Sequence, residues 1–229
     1  MSFQMIHMEI AYRLFDDLPE AENRAEFILG SVALDSVHMN PDYEVGMKVK
    51  SHLFEGCGQW GDTQDYERWK HNIMKFYRKI GHVGQTRKER DFMLGLCVHC
   101  LTDYWNDIKI WKKLQKEYIP PMTLKEFGDG YYPEARGIDL WLYQNSENTK
   151  AIREMLSRAR AFEGGGLVNK EDIERQREYL LEVQYASNAD TGRENLLDYR
   201  FLSVNLMEDF MVFTVDAIKE TFLSMTSTG

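Results

Sequence analysis

A chain of 229 residues, 43% hydrophobic and 13% aromatic, has enough apolar surface for one large core or two small ones. Its formal net charge of −9 argues against nonspecific affinity for nucleic acid or anionic lipid, both polyanions. An anionic substrate then needs a bound cation to reverse the sign locally.

The first twenty residues have no basic lead, no long apolar run and no small-residue cleavage site. The expected location is therefore cytoplasmic, and no stretch nears the ~20 apolar residues of a membrane span. Three cysteines, an odd number, fit a reducing compartment better than a disulfide scaffold.

Helical periodicity starts at once. Residues 5–15 put Ile10, Ala11 and Leu14 on one stripe, and His7 lies on it too. A second helix covers 21–38 and is stopped by Asn40, Pro41 and Asp42. A third runs from Tyr43 to Phe54 and ends in the glycine-rich EGCGQWGD. Asp62 or Thr63 caps a fourth, which carries Trp69, Ile73, Phe76 and Ile80 and ends at Gly81. The fifth and longest spans Thr86 to Tyr118, where Ile119, Pro120 and Pro121 stop it. Pro133 opens a sixth, with Glu134 at the second position where the helix dipole favours it. That helix continues to the glycines at 164–166, Asn169 caps a seventh, and an eighth covers 193–222. No alternating β-branched run occurs. The expected class is all-α, a multi-helix bundle in one domain over 1–229, with residues 165–229 the segment able to stand apart as an appendage.

The stretch GLCVHCLTDYWND, residues 95–107, puts metal- and proton-binding groups into a core helix. His99 and Asp103 are four apart and share a face, with Asp107 one turn further and Gly95 one turn before. Such a pair can bite one metal ion, or it can be a buried His satisfied by its Asp. Cys57, Cys97 and Cys100 with His99 offer a rival Cys3His zinc site, but Cys97 and His99 point to different faces, and free Cys is a common core residue. His7 faces inward, Asp35 follows an apolar run, and His52 lies in KVKSHLF. His71 and His82 sit in a basic, exposed context. His7, Asp35, His52, His99 and Asp103 come from four helices, and facing helices of a bundle build metal sites in this way. Mixed His and carboxylate ligands favour a catalytic zinc-type ion over a closed structural one.

The order of an inward His, then LGSVALDS, then KSHLF, then GLCVHCLTD resembles the zinc-dependent phospholipase C family, which shares its all-α fold with the P1-type nucleases. The resemblance covers residues 5 to 107. It implies metal ligation by Asp35, His52, His99 and Asp103, a further metal at His7, and Asp35 as a bridging ligand and candidate general base. It also marks departures. Leu34 stands where the family has Pro, and no His follows residue 99, so Asp107, Glu134, Asp139 or His38 would have to complete a larger cluster.

The expectation is a metal-dependent hydrolase of a phosphate ester, diester or monoester, using one to three zinc ions or another divalent metal. Its substrate would be a small-molecule or lipid phosphate ester, with no nucleic acid as a stable partner. Lys48 or Lys50 is a candidate phosphate contact, although a solvated helix face is the plainer reading of both. The alternatives are a non-catalytic helical protein that keeps a partial structural metal site, and a bundle with no metal. The sequence sets no oligomeric state.

Overall fold

The computed structural model of the chain describes residues 3–19, 21–80, 86–186 and 198–226. It is mostly helical. In chain order the helices are α1 (Gln4–Leu14), α2 (Arg24–Ala33), α3 (Val45–Ser51), α4 (Tyr66–Ile80), α5 (Arg87–Asn106), α6 (Lys112–Tyr118), α7 (Leu124–Asn145), α8 (Thr149–Arg158), α9 (Lys170–Tyr179) and α10 (Val204–Thr226). A 3-10 segment, Leu34–Met39, prolongs α2, and a π turn, Asp107–Trp111, joins α5 to α6. No helix of the described residues is long and apolar enough to cross a membrane.

Several boundaries differ from the sequence reading. Thr63 and Asp62 do not cap α4. They form β2 (Asp62–Thr63), which pairs antiparallel with β1 (Gly58–Gln59). The cap is Asp65, which accepts the Arg68 N–H at 2.9 Å. Pro133 does not open a helix but lies inside α7. That helix starts nine residues earlier, at a capping box in which Thr123 and Glu126 satisfy each other's backbone N–H. The stretch expected as one helix up to residue 164 breaks after Asn145 into α7 and α8. Asn169 does cap α9, and Thr86, expected only as the start of the fifth helix, caps α5. Gly81, His82 and residues 193–197, named in the sequence reading, lie outside the described residues.

Two buried carboxylates cap helices from a distance. Asp91 of α5 accepts the Glu22 and Asn23 N–H groups ahead of α2. Asp139 of α7 accepts the Met5 and Ile6 N–H groups at 2.8 and 3.3 Å, and also the Tyr185 hydroxyl. Both set acceptor oxygens where the unpaired N–H donors at a helix start converge. The tightest crossing is between α2 and α5. A Cβ on Gly95 would lie 2.3 Å from the Phe27 carbonyl, and one on Gly30 would lie 2.1 Å from the Phe92 carbonyl. Backbone meets backbone there, which only glycine allows.

Gly95→Ala should therefore cost roughly 2–3 kcal/mol as the helices separate, lowering the melting temperature by several degrees, while Gly46→Ala, with open space around it, should not. Burial pushes the Asp139 carboxyl up to about 7, against the pull of its hydrogen bonds. The folded state then keeps a proton that the unfolded chain releases near pH 4, so the Asp139 contribution to stability falls as pH rises from about 4 to about 7. Asp139→Asn should lose that fall. Denaturant titrations of both proteins across this range check it, and parallel pH profiles would refute it.

Candidate metal centre

Four short stretches deliver the site. Gln4 and His7 are three apart on α1 and share its inner face. Asp35 sits at the start of the 3-10 segment that follows α2. His52 is the C-cap of α3. The chain reverses there through Leu53 at φ 56, with Leu53 N–H to Lys50 O and Phe54 N–H to Val49 O. This is a helix-ending motif that usually takes glycine, so Leu53 holds the turn at a strain of about 1 kcal/mol. His99 and Asp103 lie one turn apart on α5. All four of His7, His52, His99 and Asp103 are at most 1% exposed.

The imidazole tautomers follow from their partners. His99 Nδ1 is 2.8 Å from the Ser31 carbonyl, and His52 Nδ1 is 3.1 Å from the Lys48 carbonyl. A carbonyl only accepts, so His99 Nδ1 carries the proton, whereas His52 Nδ1 also has the Ser51 hydroxyl at 2.8 Å, which can donate or accept. Burial, reinforced by Lys48 at His52 and by His7 at His99, pushes both pKa values down, so both rings are neutral. His99 Nε2 is then a bare lone pair, and it faces His52 Nε2 at 3.1 Å, as the acceptor of a hydrogen bond where His52 carries its proton on Nε2 and as one of two lone pairs where His52 carries it on Nδ1. Two lone pairs at that distance repel unless a cation lies between them. A backbone carbonyl on the far nitrogen is also how metal-ligating histidines are generally oriented.

The carboxylates complete the arrangement. Asp35 Oδ1 is 3.3 Å and Asp103 Oδ2 is 3.4 Å from His52 Nε2, and Asp103 Oδ2 is 3.9 Å from His99 Nε2. Donors about 2.0–2.1 Å from a tetrahedral zinc are about 3.3–3.4 Å apart. Most of these spacings match that edge and exceed an ordinary hydrogen bond. Asp103 Oδ2 is buried without a hydrogen-bond partner, which is costly for a carboxylate oxygen unless a cation meets it. Its other oxygen lies 3.4 Å from His7 Nε2, and the His7 ring stacks on His99 at 4.1 Å. Two three-ligand groups result, His7 with His99 and Asp103, and Asp35 with His52 and His99. His99 has one free nitrogen and can serve only one ion. Burial raises the pKa of both carboxyls, but Lys48 at Asp35, and His7 with its neighbours at Asp103, overcome it and hold both ionised.

The other candidates go elsewhere. Asp107 joins neither group; it accepts the Tyr66 hydroxyl at 2.6 Å. Glu134 accepts the N–H groups of residues 200–202, and Asp139 caps α1. His38 Nε2 lies 3.2 Å from Lys48 Nζ, and burial together with Lys48 pulls its pKa down to about 4. Cys57, Cys97 and Cys100 are free, buried packing residues. Lys50 is exposed, whereas Lys48 is not on a solvated face. It is 5% exposed and 2.9 Å from Asp35 Oδ1, while Gln4 donates to Asp35 Oδ2 at 2.8 Å. The sequence did carry a signal for both: Lys48 is four before His52, and Gln4 three before His7.

A cleft of about 730 Å³ opens beside this cluster, with Asp35 and Lys48 in its wall. Tyr43, Val45, Tyr132, Tyr179 and Val183, all exposed, also line it. Comparison with protein-family profiles, with curated proteins and with solved structures found no match.

Purified protein should carry at least one zinc, manganese or iron ion per chain by elemental mass spectrometry, and His99→Ala should lose it. Zinc at a hundredfold excess over its dissociation constant should add about 2.7 kcal/mol of stability. A metal-free wild type, even after reconstitution, would overturn the site.

Proposed function

We propose that this chain is a zinc-type metal-dependent hydrolase of a phosphate ester, built on the phospholipase C/P1 nuclease plan that its motif order resembles. The observation that carries this reading is the pair of Nε2 atoms facing each other at 3.1 Å, flanked by two ionised carboxylates, one with an unpartnered buried oxygen, and set beside an open cleft. Asp35, His52, His99 and Asp103 would hold one ion. His7 and the second oxygen of Asp103 would support another. A bound ion of this type lowers the pKa of a water and offsets charge on phosphoryl oxygens.

The chain's own residues divide the remaining work. Asp35 is the one ligand candidate that also lines the cleft. Held ionised by Lys48, it accepts a hydrogen bond from the attacking water and aims it, rather than taking its proton. The Ser31 and Lys48 carbonyls keep both imidazoles turned inward. The rim of tyrosines and valines would receive the organic part of the ester, so a small-molecule or lipid phosphate ester suits the cleft.

The burial of the other ligand candidates favours a second reading, a structural metal in a non-catalytic helical protein. Turnover separates the two. Zinc-loaded wild type should hydrolyse a member of a phosphomonoester and phosphodiester panel, and Asp103→Ala should lose roughly a hundredfold or more of kcat/KM. Tightly held zinc, a large fall in melting temperature on chelation and no turnover on any ester would establish the structural reading instead.

A further inference from the structure

Lys48 is the buried lysine among the described residues, and the metal cluster does not need it as a ligand. Its ammonium donates to Asp35 Oδ1 at 2.9 Å and approaches His38 Nε2 at 3.2 Å. It also lies 5.2 Å from the centre of the Trp60 ring, and it forms part of the cleft wall. Burying a lysine is costly unless it is paired, and an apolar residue would pack against Trp60 without that cost. Asp35 already has Gln4 as a second donor.

Charge bookkeeping gives the lysine a purpose. One divalent ion is matched by Asp35 and Asp103, with His52 and His99 neutral. The Lys48 ammonium adds positive charge to that balance. It faces the cleft beside the carboxylate that aims the water, and neutral His38 does not compete with it. Arg136, also in the cleft wall, is exposed and better placed to meet an incoming anion than to hold one against the cluster.

We propose that Lys48 is a catalytic residue that binds substrate directly: its ammonium is a fixed, built-in cation that donates to a non-bridging phosphoryl oxygen of the ester and holds the phosphorus over the metal centre. This rests on the phosphate-ester reading and names the residue that makes the centre anion-selective. A lysine here supplies positive charge independent of metal supply, so one ion suffices for phosphate binding.

Lys48→Gln keeps a donor for Asp35 and removes the charge, and Lys48→Arg returns the charge. The probes are inorganic phosphate, titrated calorimetrically into zinc-loaded protein, and bis(4-nitrophenyl) phosphate for turnover. Zinc content is measured on the same samples. Lys48→Gln should keep its zinc and bind phosphate about tenfold to a hundredfold more weakly, the range of one charge-assisted hydrogen bond. Lys48→Arg should recover most of that loss. Zinc-loaded Lys48→Gln that binds phosphate like wild type overturns the proposal. Wild type that takes no zinc fails the metal-hydrolase reading itself, before Lys48 is tested. If the variants do not fold, lysine-15N NMR of the zinc-loaded wild type decides. The buried ammonium, shielded from solvent exchange, must shift on saturation with phosphate, and an unmoved signal refutes the contact.

Discussion

The arrangement of this protein depends on two glycines that let helix backbones touch. Gly30 and Gly95 remove the side chains that would hold α2 and α5 apart. Only at that separation can His99 reach the Ser31 carbonyl, one residue after Gly30 and one turn along from Gly95. That hydrogen bond sets the tautomer, and the tautomer turns a bare nitrogen toward His52. Asp35 then arrives from the end of the same α2 backbone. A cluster spread over four segments is thus organised by one crossing, while its electrostatics are set by atoms, carbonyl oxygens and an ammonium, that a search for ligand side chains overlooks.

Much of this was legible in the residues. His99 and Asp103 four apart on an apolar helix define a shared face without any structure, and the inward positions of His7, Asp35 and His52 follow from their apolar neighbours. Asp107 shows where the same logic fails. Eight residues at 100° each leave it about 80° round the helix from His99 and ~12 Å along it, near Tyr66 rather than the cluster. Pro133 misleads for a related reason. A proline's preference for the first turn is local, whereas Thr123 and Glu126 form a stronger start upstream. The hairpin at 58–63 is too short for alternation to register. Lys48 was read as surface because lysine usually is, and its burial depends on a partner thirteen residues away.

Long-range caps tie the same parts together mechanically. Asp139 joins the start of α1, which carries Gln4 and His7, to α7 and to Tyr185. Asp91 joins the start of α2 to α5. Two of the helices that deliver candidate ligands, α1 and α2, are therefore fastened at their N-termini by carboxylates outside the cluster, and part of the rigidity a preorganised site requires is supplied one layer away from the chemistry.

The π turn at Asp107–Trp111 has a consequence for chain length. Lys112 N–H bonds to the Asp107 carbonyl five residues back, so the helix holds one residue more than a regular α path would. At its end and beyond it, Trp111 and Gln115 donate to the Gly61 carbonyl and Lys112 pairs with Asp62, anchoring the hairpin whose Trp60 packs on His52. A homologous chain one residue shorter between Asp103 and Lys112 would keep His99 and Asp103 in register but rotate α6 by about 100°, and the roof over His52 would lose its moorings. In an alignment, an insertion or deletion at this one point would separate chains that share the ion-binding residues but differ in what covers them.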